Sequence, residues 1–216
     1  MFSRKLVRRS SYFLLFCLLA WYSEVFLRES GEDFLVCLWN RTFHRLGADC
    51  IYWIAMRLAA WLSVYLHLLR LESGFSIYLF LRRRSYGSVF LHIYAGCVGR
   101  AVCYYGVGTA VMAVFHSLTV FGGNSGVLLQ RSGLPFLLAE EGLEALSFCL
   151  AAYALHCIFG KAEAGFLAVL AGRLLLNFVT GGERPALPVQ LAVNLIMVCA
   201  VFFLAFRDFA EKYADR

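Results

Sequence analysis

Residues 187–206 run for twenty positions without a charged side chain. That length matches the about 20 apolar residues a helix needs to cross the ~30 Å hydrocarbon core of a bilayer. Further apolar segments precede it, at about 11–27, 50–69, 88–115, 143–159 and 165–180. None alternates apolar and polar residues as a membrane strand would, and in lipid the backbone must satisfy its own hydrogen bonds, so helices are what remains. The predicted fold class is therefore all-α, a polytopic helical membrane protein with about six transmembrane helices in a single domain over residues 1–216. Composition agrees: 61% of residues are hydrophobic and 16% charged, against about 25% charged in soluble domains.

Orientation follows from the basic residues, which gather on cytoplasmic loops. With the N-terminus inside, twelve face the cytoplasm: Arg4, Lys5, Arg8, Arg9, Arg70, Arg82, Arg83, Arg84, Lys161, Arg207, Lys212 and Arg216. Five face outward: Arg28, Arg41, Arg45, Arg131 and Arg184. Both termini are thus expected to be cytoplasmic, and residues 70–87 form a cytoplasmic elbow between the second and third spans. The net charge of +6 lies at segment ends beside apolar runs, not in a basic patch interleaved with aromatics, so nucleic acid is not an expected partner. The expected location is a cell membrane, the bacterial cytoplasmic membrane in particular, with the lipid bilayer as first partner.

Arg4, Lys5, Arg8 and Arg9 before an apolar run resemble the start of a signal peptide, but no small-x-small cleavage site follows, so the first segment reads as an anchor. Six of the eight cysteines (Cys17, Cys97, Cys103, Cys149, Cys157, Cys199) sit inside apolar segments without a C-x-x-C and read as small packing residues. Cys37 lies in an outer loop and Cys50 at its far end, and they are the one candidate disulfide pair. That loop, 29–49, mixes aromatic and charged residues as an interfacial helix does, and its Asn40-Arg41-Thr42 matches a glycosylation sequon. A second outer loop carries a glycine cluster at 122–126, and Pro135 is placed to start the fourth helix. Glu140, Glu141 and Glu144 follow, so an interfacial or re-entrant entry is expected there, with Gly142 as its weak point.

Three arginines fall inside spans: Arg57, Arg100 and Arg173. On insertion scales a central arginine costs about +2.5 to +3.5 kcal/mol, so each needs a reason. Arg100 lies among Gly96, Gly99, Cys103 and Gly106, and Arg173 among Ala168, Ala171 and Gly172. Such small residues line close helix contacts, which points both arginines into the bundle. Their candidate partners are Glu140, Glu141 and Glu144. The alternative leaves these glutamates in the headgroup layer, where the positive end of a helix favours carboxylates.

Enzyme signatures fit poorly. Gly123-Asn124-Ser125-Gly126 has the form of a rhomboid serine motif, but His156 follows after one span where that family has two. Glu140-Glu141 resembles the paired glutamates of CAAX-processing proteases, yet Ala145 replaces the arginine and no F-x-x-x-H follows. A peptide-processing cysteine peptidase would pair His92 with Cys97, but positions five apart on a helix point about 140° away from each other. No G-x-x-x-x-G-K-[ST] occurs, so the chain is expected to hold no cofactor of its own, and any ATP it uses would bind a partner subunit.

The run Tyr78-Leu79-Phe80-Leu81-Arg82-Arg83-Arg84-Ser85-Tyr86-Gly87-Ser88-Val89-Phe90-Leu91 resembles the loop before the third span of small ABC-2-type permeases, in particular the bacteriocin and lantibiotic export or immunity branch. The likeness extends over about residues 68–106, with six spans, inside termini and a basic segment before the first span. It implies a non-enzymatic permease subunit that forms homo- or hetero-dimers and is driven by a separate ATPase subunit. The elbow would then be the coupling element, with Tyr78, Arg82, Arg83 and Arg84 as contacts. Anionic lipid, at about 1 kcal/mol per basic residue, explains the charge of the arginines equally well. The alternatives are the cysteine-type integral membrane peptidase and a non-transporting accessory or immunity protein.

Overall fold

The computed structural model describes residues 13–22, 48–83, 85–119, 134–180 and 186–213. These residues form helices: α1 Phe13–Tyr22, α2 Ala48–Leu68, α3 Gly74–Arg83, α4 Tyr86–Thr119, α5 Leu134–Phe159, α6 Ala162–Thr180 and α7 Leu187–Tyr213. A single 3₁₀ turn, Leu69–Leu71, extends α2 toward α3. Five stretches are long and apolar enough to cross a membrane: Cys50–Leu71, Tyr86–Phe115, Pro135–Phe159, Ala162–Thr180 and Leu187–Glu211. The first expected span corresponds to α1, ten apolar residues of which are described. The interfacial loop at 29–49 falls almost wholly outside the described residues, as do Cys37, the sequon, the glycine cluster at 122–126 and Arg84.

α5 is the central pillar: α2, α4, α6 and α7 all pack on it. α6 and α7 flank it on one side and barely touch each other, which leaves a cleft between them floored by α5. The α5–α2 contact is a close aromatic stack, Trp61 on Phe148 at 4.1 Å between ring centroids, with Trp53 edge-on to Trp61 at 5.5 Å. The aromatic surfaces that tile this seam gain directly from offset and edge-to-face packing. Two thiols serve as small packing groups against α2, Cys149 of α5 donating to the Trp61 carbonyl at 3.2 Å and Cys97 of α4 to the Val64 carbonyl at 3.8 Å. Cys103 and Cys199 face outward.

The α5–α6 turn is tight for a local reason. Gly160 takes φ +69°, the left-handed region that side chains disfavour, and its N–H closes α5 on the His156 carbonyl at 2.7 Å. α6 then packs back so closely that a Cβ on Gly165 would run into the α5 backbone at Ala152 and His156.

The fourth span departs from expectation. α5 starts at Leu134, with Pro135 in its first turn, and runs unbroken through Gly142, carrying all three glutamates as part of a continuous helix. The re-entrant start is replaced because two of those glutamates are neutralised inside the bundle.

Candidate functional site

Two regions concentrate polar chemistry, one at the end of the bundle away from α3 and one at α3 itself.

The first is a layer of charge inside the spans. Arg57 lies seven residues beyond Cys50, Glu141 six beyond Pro135 and Arg173 seven short of Thr180. At 1.5 Å per residue each sits about 10 Å down its helix from the same end. Arg57 Nη2 donates to Glu141 Oε1 at 2.5 Å, with the two side chains 1% and 0% exposed. The Arg57 guanidinium also lies 4.7 Å from the centre of the Trp53 ring, a cation–π contact that a buried arginine makes favourably. The second pair is Arg173 and Glu144: Nε and Nη2 both donate to Oε1, at 3.0 and 2.9 Å. This pair is 19% and 12% exposed and stands on the wall and floor of the α6–α7 cleft, about 350 Å³, beside Ser147 and Gln190. Below it, Tyr94 donates to Asn194 Oδ1 at 2.7 Å and Asn194 Nδ2 donates to Ser147 Oγ at 3.0 Å, tying α4, α7 and α5 together.

Of the two expected placements for the glutamates, the buried ion pair is the one found for Glu141 and Glu144. Glu140 takes part in neither pair and is half-buried. Arg173 finds its partner among the expected three. Arg57, singled out in the sequence only as a charge inside a span, is the partner of Glu141. Arg100 departs from the expected inward placement: Gly99, Cys103 and Gly106 beside it are exposed and line no close helix contact, and Arg100 itself is half-buried near the middle of α4, lining a different cavity with Ser63 and Tyr104. The amides Gln190 and Asn194 were missed. Their spacing of four in an otherwise apolar run puts them on one helix face, and that was the available signal.

The second region is the elbow. Ser73 Oγ donates to the Arg70 carbonyl at 2.9 Å, closing the turn before α3. α3 packs against the start of α4, and Phe80 meets Phe209 of α7 at 5.2 Å. Tyr86 sits beside the same ring, 5.0 Å from Phe209 and 5.4 Å from Phe206. The root of the elbow is tied as well: His156 Nε2 lies 2.7 Å from Glu72 Oε1, and Tyr65 donates to the Ala162 carbonyl at 2.9 Å. Glu72, Cys157 and Asp208 bring ligand-type atoms within 4.8 Å of one another. One knot of side chains therefore joins the elbow to α5, α6 and α7.

Among the arginines the structure draws a distinction. Arg83 folds back, its Nη1 donating to Ser88 Oγ at 3.1 Å with Nη2 3.4 Å from His92 Nδ1. Arg82 is exposed, next to Leu81 at 68% and Tyr78 at 75% exposure. His92 and Cys97 have different neighbours: Cys97 is buried against Val64 of α2, while His92 is on the exposed side with Arg83.

Apolar helices of membrane-crossing length, with their mid-span arginines paired to carboxylates or facing a cavity, define a multi-pass helical membrane protein. No family model, curated protein or solved structure matches the chain.

Proposed function

We propose that this chain is the membrane-spanning permease subunit of an ABC-type exporter, coupling a separate ATPase to substrate movement. It sits in the bacterial cytoplasmic membrane with both termini and the elbow inside, and it pairs with a second membrane subunit, identical or related. The observation that carries the reading is α3: a ten-residue helix joining two spans, its inner side fixed to α4 and α7 and its outer side presenting Tyr78, Leu81 and Arg82. A coupling helix requires that combination, a free face for the motor domain and a stiff attachment to the spans it moves. Arg83 belongs to the attachment and Arg82 to the free face. Closure of the ATPase dimer pushes on α3, and the Glu72–His156 and Phe80–Phe209 contacts carry the load into α5 and α7.

Affinity purification of the tagged full chain from its native membranes tests this. A P-loop ATPase should co-purify in fixed stoichiometry and hydrolyse ATP. The double variant Tyr78→Ala, Arg82→Glu should lose that subunit while still inserting in the membrane. A chain that purifies without an ATPase, or a variant that retains it with unchanged ATP-dependent transport, would remove the coupling role.

A further inference from the structure

Three arginines, Arg57, Arg100 and Arg173, lie seven or more residues inside the ends of their spans, and two of them have carboxylates. Among the described residues Arg100 has none: no acidic side chain or hydrogen-bond acceptor pairs with it. It is fourteen residues past Tyr86 and fifteen short of Phe115 in a 30-residue span, so about 21 Å of helix separates it from either end. Neither interface is within reach of its side chain. An arginine there is tolerated when it faces a partner or a water-filled cavity.

Arg100 does face a cavity, of about 600 Å³, within the ~300–1,000 Å³ range of small-molecule sites. α1, α2 and α4 build it, and its lining is one-sided. Arg100, Ser63 and Tyr104 supply the polar groups, while Phe13, Phe16 and Val107 supply apolar wall. Phe13 and Val107 are 59% and 58% exposed, so the cavity opens on the outer surface of the helices, where lipid lies. The Tyr104 hydroxyl is already committed to the Met56 carbonyl at 2.8 Å, which leaves the guanidinium as the feature to be matched. Its planar fork suits a carboxylate or phosphate bound through two oxygens, and the walls suit a hydrocarbon chain.

We propose that Arg100 is the headgroup contact of an intramembrane binding site for an anionic amphiphile, an acyl-chain carboxylate or an anionic phospholipid, entering sideways from the bilayer between α1 and α4. The site stands independently of the permease reading, since it concerns binding and not movement.

The test uses the full chain in phosphatidylcholine nanodiscs with radiolabelled oleate as probe. Oleate should bind saturably, and oleyl alcohol, with the same chain and no charge, about tenfold more weakly. Arg100→Gln should weaken oleate by a similar factor, as should Val107→Trp, which fills the mouth and leaves the charge in place. Nanodiscs enriched in phosphatidylglycerol separate the two sources: suppression of oleate binding identifies the phospholipid, and unchanged binding identifies the free carboxylate. Equal binding of oleate and oleyl alcohol would overturn the proposal. So would wild-type affinity in a folded Arg100→Gln or in Val107→Trp, or the absence of both saturable oleate binding and phosphatidylglycerol retention.

Discussion

Glu141 and Glu144 are one turn apart on the same helix, and each meets an arginine, yet their surroundings differ. The Arg57–Glu141 pair is sealed between α2 and α5 under Trp53, with no access to anything mobile. The Arg173–Glu144 pair stands in the cleft that α6 and α7 leave open. Separation of two charges costs little where water or a polar ligand can replace the partner, and much where nothing can. The first pair is therefore architecture, locking the central helix to α2. The second can open, and it lines a cavity with Ser147 and Gln190, so it is the pair suited to respond to a ligand.

The largest effect should come from breaking the sealed pair. Arg57→Ala or Glu141→Ala leaves an uncompensated buried charge, and a loss of about 3–5 kcal/mol is expected, read as a collapse in folded yield and in the denaturant midpoint in micelles. The double variant Arg57→Met, Glu141→Leu should recover most of it. Recovery would mark the pair as a matched neutral unit, and failure to recover would mean the charges do something beyond locking α2. Next comes Gly165→Val, which forces a side chain into the α5 backbone; about 1–3 kcal/mol of destabilisation is expected by the same assay. Glu144→Gln should cost less, about 1 kcal/mol or below, and should alter ligand or substrate response more than folding. A loss as large as that of Glu141→Ala would erase the distinction between the pairs. Smallest is Arg82→Glu, on an exposed surface: stability should be unchanged, with the effect confined to partner capture.

Five of the six expected spans were legible, because hydrocarbon thickness and run length are properties of a sequence taken one segment at a time. The start of α5 was not. Read alone, three glutamates in eleven residues argue for the headgroup layer; read with Arg57 and Arg173 they are largely neutralised, and that neutrality depends on helix rotation and neighbour choice. The same limit explains the arginines. Arg57, Arg100 and Arg173 were all recognisable as charges needing a reason, but which has a carboxylate and which faces a cavity is decided by how α2, α4 and α6 are turned about their axes. At the elbow the basic run was visible, while the division of labour between Arg82 and Arg83 was not, because it depends on α3 ending where Arg83 can reach Ser88 and His92. The aromatic clamp of Phe80, Tyr86 and Phe209 joins residues more than a hundred positions apart, which no local pattern reveals.

The claim that the elbow is the working surface is tested most directly by a photo-crosslinking residue at Leu81 on the free face of α3, with Leu195, 65% exposed on α7, as the control. In native membranes the Leu81 probe should capture a P-loop ATPase in an ATP-sensitive manner, and the Leu195 probe should not. Crosslinks from Leu81 to lipid alone, at every nucleotide state, would contradict the account.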